Sequence, residues 1–152
     1  MSKPNSAALD AHLSYWLRLV SNHVSHAFKE KLKARDISVA EWVVLRELHG
    51  DQPPAPTQLA IRLGMSKGAV SKLLDRLAAK GFTTEMPSRQ DRRCRILALT
   101  PQGRALVPKL AALADRNDAE FFGHLQPAER DALQTVLLDI VRRHGWHRPL
   151  ID

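Results

Sequence analysis

The sequence predicts a mainly α-helical chain interrupted by one small β-hairpin. Three observations carry that prediction. Apolar residues recur at spacings of three and four through most of the 152 residues. Between residues 59 and 80 this pattern breaks once, at Gly64-Met65-Ser66, which leaves two short helices joined by a tight turn. Between 82 and 99 two β-prone runs flank a basic, turn-like segment. Two helices, a turn and a hairpin in that order describe a winged helix-turn-helix, here with a helical region on either side that is suited to dimerisation.

The bulk numbers bound the answer. The chain fits one domain or two intimately joined lobes, and 44% apolar with 26% charged residues is ordinary for a globular protein. No apolar run approaches the ~20 residues of a membrane span, and no signal-peptide pattern opens the chain. No membrane partner is expected. A single cysteine, Cys94, rules out an internal disulfide and suits a reducing cytoplasm.

The net charge of +7 becomes informative once located. Ten Lys/Arg and three acids lie between Arg62 and Arg104, a balance of +7; the rest of the chain holds thirteen of each sign. The whole excess sits on the helix-turn-helix and hairpin, which points to a polyanion partner rather than to a merely solvated basic face.

Each element has its own signal. Over 9–35, Leu13, Trp16, Leu17, Val20, Val24, Ala27, Phe28 and Leu32 form a helical stripe about seven turns long. It needs a cover, either the C-terminal helices or a second chain. Ser38 and Glu41 have capping-box spacing, with Ile37 and Trp42 as the hydrophobic staple, so a helix starts there and runs to His49 before Gly50. Residues 51–56, with three prolines, make a stiff connector, and Pro56 suits the first helical position. Leu59, Ala60 and Leu63 face inward on the next helix; Gly64 suits positive φ and Ser66 caps the helix after it.

That helix, about 67–80, has two faces. Val70, Leu73, Leu74 and Leu77 point inward. Ser66, Lys67, Gly68, Ala69, Ser71, Lys72 and Arg76 cluster on the other side, toward its N-terminal half. A recognition helix enters the major groove by this end. Lys and Arg suit guanine edges, Ser suits either role, and the small residues allow close approach. Gly81 ends the helix. The hairpin tip carries Arg89, Arg92 and Arg93, which suit a minor groove, with Asp91 placed to brace Arg93 rather than to touch DNA. Thr100-Pro101 then starts a helix in which Pro108 should produce a kink or a division. Gly123 and Pro127 bracket a break, and a last helix carries Leu133, Leu137, Ile140 and Val141, with Trp146 after it.

In this order of elements the chain resembles the MarR family of bacterial regulators, from about residue 9 to residue 144. The most specific match is the run from Asp91-Arg92-Arg93 through Leu99-Thr100 to Gly103, which fits the family's wing pattern of Asp-x-Arg, Leu-Thr and Gly. Leu59-Ala60 with Leu63-Gly64, the run from Ser66 to Leu77, and Glu129 between Leu125 and Leu133 support it. The resemblance implies a homodimer with interlocked outer helices, two winged modules on a pseudo-palindromic double-stranded DNA site, and repression (sometimes activation) relieved by a small-molecule effector or an oxidant. It also implies Arg93 in the minor groove braced by Asp91. It divides the chain into a dimerisation helix (1–36), a DNA-binding module (37–100) and C-terminal dimerisation helices (101–152), one intertwined domain overall.

There are departures. Peroxide-sensing members carry a cysteine in the N-terminal helical region; here the one cysteine, Cys94, lies in the wing between Arg93 and Arg95, where packing is the first expectation and oxidation sensing the second. His23 with His26, and His144 with His147, are spaced for pairing but show no four convergent ligands, so they read as surface or interface residues, with no metal and no cofactor. Tyr15, Trp16 and Trp42 are candidates to line an effector pocket, with core packing the first expectation for each.

Two rival functions share some of these features. A non-specific architectural nucleic-acid binder has the same charge pattern. A hydrolase using Ser66 would explain Gly64-Met65-Ser66-Lys67-Gly68, which fits the G-x-S-x-G elbow, but that elbow needs a strand before the serine and a helix is expected there. The reading is therefore a regulator, not an enzyme.

Overall fold

Helix starts after the first helix are fixed by capping side chains and by prolines. The computed structural model describes residues 9–88, 90 and 95–146. The first helix, α1 (Leu13–Lys33), lacks a side-chain cap at His12. The second, α2 (Val39–Leu48), begins with the expected capping box: the Glu41 amide donates to Ser38 Oγ at 3.1 Å, and the Ser38 amide donates to Glu41 Oε1 at 3.0 Å. Pro56 is the first residue of α3 (Pro56–Leu63), and Gly64 closes it at φ 63°. Ser66 Oγ accepts the Ala69 amide at 3.2 Å and starts α4 (Lys67–Ala79). Strands β1 (Thr83–Pro87) and β2 (Arg95–Leu99) pair antiparallel, with Thr83 opposite Leu99 and Pro87 opposite Arg95. Then come α5 (Pro101–Phe122) and α6 (Pro127–Arg143), each with proline in its first position.

Of the two outcomes expected at Pro108, a division does not occur: α5 runs on through it as one 22-residue helix. Proline removes one amide from the helix ladder, the one that would bond the Arg104 carbonyl, and both residues are exposed.

The core lies around the helix-turn-helix. Leu32 from the end of α1, Leu45 from α2, Leu59 from α3, Leu77 from α4, Leu97 from β2 and Leu110 from α5 are fully buried together. Thr100 locks the corner between the hairpin and α5. Its hydroxyl donates to the Gly81 carbonyl at 2.6 Å and accepts the Gly103 amide at 3.0 Å. A β-carbon at Gly103 would stand 2.0 Å from the Phe82 carbonyl oxygen, so only glycine fits at that crossing. Farther along α5, the buried Asn117 donates to the Val24 carbonyl at 3.1 Å and accepts from Lys31, which also meets Glu120 at 2.6 Å. These bonds hold α5 against the second half of α1.

Among the described residues, nothing covers the first half of α1 in this way. Leu13 is 79% exposed, Trp16 and Leu17 are 49% exposed, and α6 buries none of its residues. The C-terminal helices therefore leave the N-terminal stripe of α1 bare, and Tyr15 and Trp16 are not core residues as first expected.

Candidate nucleic-acid interface

The recognition helix candidate is α4. It is held from below by Val70, Leu73, Leu74 and Leu77, all buried, as the sequence pattern requires. That packing turns Lys67, Gly68, Ser71, Lys72 and Arg76 outward, where each is exposed; Ala69 is half-buried. Ser66 sits at the start with its oxygen accepting the Ala69 amide, which leaves its O–H to donate outward. A β-carbon at Gly68 would meet nothing within 4 Å, so the helix is thinnest where it would approach a groove.

The cations of this region divide by their partners. Arg62 donates to Glu47 at 2.8 Å across the α2–α3 contact, and Lys80 donates to Glu41 at 2.9 Å. Among the described residues, Lys67, Lys72 and Arg76 meet no carboxylate, so their charge is available to a polyanion. Composition had credited the basic face with Arg62 and Lys80; the fold assigns both to internal ion pairs.

The hairpin stands beside α4. Thr83, Leu97 and Leu99 turn inward and anchor it, while Met86 and Ile96 form an exposed cross-strand pair. Arg89, Asp91, Arg92, Arg93 and Cys94 lie outside the described residues, as does His147. Of the other histidines, His23 lines an apolar groove between α1 and the α5–α6 corner, and His144 stacks on Trp146 at 4.7 Å. No cluster of three or more metal-ligating side chains occurs among the described residues.

The aromatic candidates separate. Trp42 is buried in the core beneath Arg46, whose guanidinium stands 5.9 Å from the ring centroid. Trp16 lines the same groove as His23, a space of about 710 Å³, and Tyr15 meets Trp16 edge to face at 5.0 Å. Ser66 is preceded by α3 rather than by a strand, so the G-x-S-x-G match is not a nucleophile elbow.

Comparison with known proteins fits this geometry. The MarR family model matches residues 37–95, which is the stretch from α2 to the start of β2. An uncharacterised HTH-type transcriptional regulator from Bacillus cereus is 26% identical over 137 residues, 89% of this chain and 91% of its own length. The crystal structure of apo MarR from Escherichia coli superposes with a TM-score of 0.72 at 25% identity, covering 86% of this chain and 97% of that one. Over residues 37–95 this chain is similar to the MarR family. The structure of Bordetella bronchiseptica BpsR superposes with a TM-score of 0.69 at 26% identity over 85% of this chain and 92% of its own; that structure concerns regulation of DNA binding by 6-hydroxynicotinic acid.

One polar site escaped the sequence reading. Glu41 is 4% exposed and is the meeting point of Lys80 and the first turn of α2. Burial pushes its carboxyl up, but the Lys80 ammonium and the Ser38 amide and hydroxyl outweigh burial and hold it below the usual glutamate range. The capping box gave Glu41 away as a cap; its partner 39 residues on left no local signal.

Proposed function

We propose that this chain is a sequence-specific DNA-binding transcriptional regulator that acts as a homodimer on a pseudo-palindromic operator. The observation that carries the reading is the outward, unpaired cationic edge of α4 beside the hairpin. Ser66, Lys67, Gly68, Ala69, Ser71, Lys72 and Arg76 meet the major groove or its phosphates; Arg89, Arg92 and Arg93 serve the wing, with Asp91 bracing Arg93. Residues 37–100 form the DNA-binding module, and 1–36 with 101–152 form the dimerisation region. Repression relieved by a small molecule is the mode, supported by the regulated DNA binding of BpsR. The chain works in the cytoplasm, and catalysis has no part in its role. Among the described residues no helix is long and apolar enough to cross a membrane.

The test is fluorescence anisotropy on labelled DNA from the region upstream of its own coding sequence, with a scrambled duplex alongside, at two salt concentrations. A regulator binds its site on the order of a thousandfold tighter than the scramble. Its affinity also falls steeply with salt, as Lys/Arg–phosphate contacts require. Equal, salt-sensitive binding to duplexes of every sequence would favour an architectural role, and no binding at low salt would end the proposal.

A further inference from the structure

Lys80 caps the C-terminus of α4 and is turned away from the cationic edge. Its Nζ donates to Glu41 Oε2 at 2.9 Å and to the Asp36 carbonyl, with the Asp36 carboxylate 3.7 Å away. Glu41 Oε1 is occupied by the Ser38 amide, so both carboxylate oxygens are used. Asp36 is the only non-glycine residue with positive φ among those described, at 56°. It forms the elbow between α1 and α2, and the carbonyl presented there is the one Lys80 takes. One ammonium thus joins the end of α1, the first turn of α2 and the end of α4.

We propose that Lys80 is a positioning residue that fixes the recognition helix relative to α1, and thereby sets the half-site spacing the homodimer reads. This rests on the reading of the chain as a dimeric operator-binding protein. In such a dimer, the separation of the two α4 helices is transmitted from α1 through α2. Half-sites lie about 34–36 Å apart, one helical turn, and a single base pair changes that by about 3.4 Å. Apolar contacts between α2 and α4 are non-directional and admit small slides. An ion pair with a 5%-exposed carboxylate, plus a hydrogen bond to the Asp36 carbonyl, is directional and favours the arrangement in which both are made. Lys80 as one more phosphate contact is disfavoured, because its ammonium is committed to these inward partners.

The experiment uses the full chain and a duplex selected by the wild-type protein from a randomised pool, together with copies carrying one base pair more or fewer between half-sites. The wild type is expected to lose about tenfold or more on either respaced duplex. K80M is expected to bind the selected duplex about tenfold more weakly and to discriminate among the three by only a few-fold, with the dependence of log K on log salt unchanged. K80R, which keeps a donor, restores most of the discrimination. K80M/E41Q removes the stranded carboxylate, so the same loss of discrimination is expected in a protein whose fold is relieved of that charge. A salt slope shallower by about one would make Lys80 a phosphate contact and overturn the proposal. So would an equal loss on all three duplexes, the mark of a general structural role. Enrichment of no sequence by the wild type would sink the operator reading and the clamp with it; a clear operator whose spacing preference survives in K80M and K80M/E41Q would sink the clamp alone.

Discussion

Gly68 has room for a side chain and does not carry one. A β-carbon there would meet nothing within 4 Å, and the residue lies in the first turn of α4, where glycine is a poorer helix former than alanine. Folding alone therefore favours Gly68→Ala by a few tenths to about 1 kcal/mol. If the helix presses on DNA at this point, the same methyl group holds the two surfaces apart. Gly68→Ala is expected to raise the urea midpoint and yet weaken operator binding about tenfold; a variant that is more stable and binds as well as the wild type would remove Gly68 from the interface. Gly103 is the opposite case, since there a β-carbon would strike backbone, not open space. Both glycines sit in patterns the sequence offered, but only the fold separates a glycine required by packing from one that packing leaves free. Glu41 adds a second prediction at this scale. Its carboxyl is held below the usual glutamate range in the folded state, so its contribution to stability is complete above the unfolded value, about 4.3, and is lost as pH falls through the lower folded value. The urea midpoint of the wild type should therefore fall more steeply below about pH 4.3 than that of Glu41→Gln; parallel curves would show that Glu41 gains nothing from ionisation.

At the scale of elements, legibility follows the range of the interactions. The start of α2 was readable because cap, box and staple lie within six residues, 37–42. The turn from α3 to α4 was readable for the same reason: Gly64 takes φ 63° and Ser66 caps within five residues of Ile61. The inward face of α4 followed from its spacing. At Pro108 local rules count the lost hydrogen bond but not the packing of Val107 and Leu110, which stay buried in a helix that does not stop there. The pairs Lys80–Glu41 and Lys31–Asn117 join residues 39 and 86 positions apart, and no window along the chain contains both partners. So the basic surplus of the module was correctly located, while the share of it committed to internal pairs was not.

For the whole molecule, the decisive fact is an apolar surface that the other described elements leave exposed. Leu13, Leu17 and Val20 on α1 and Leu133, Leu137 and Ile140 on α6 are each at least 39% exposed. Monomeric proteins seldom expose contiguous apolar patches beyond a few hundred Å². A groove of about 710 Å³ between these helices deepens the surface rather than closing it. A second copy presents the same two helices, and a two-fold arrangement lets each copy's α6 serve the other's α1. An obligate interface of this kind typically buries 2,000 Å² or more. Light scattering at micromolar concentration should therefore give twice the chain mass. Leu17→Glu with Leu137→Glu places two carboxylates on each copy's share of the interface without breaking either helix, since Glu is a good helix former. Both residues are exposed and neither belongs to the buried core around the helix-turn-helix, so the module should stay folded while the mass halves. The variant should also lose the full operator, because each half-site contact then stands alone, and keep only salt-sensitive binding in the range of a non-specific contact. A wild type of single-chain mass that still binds its operator would show that the bare helices await some other partner.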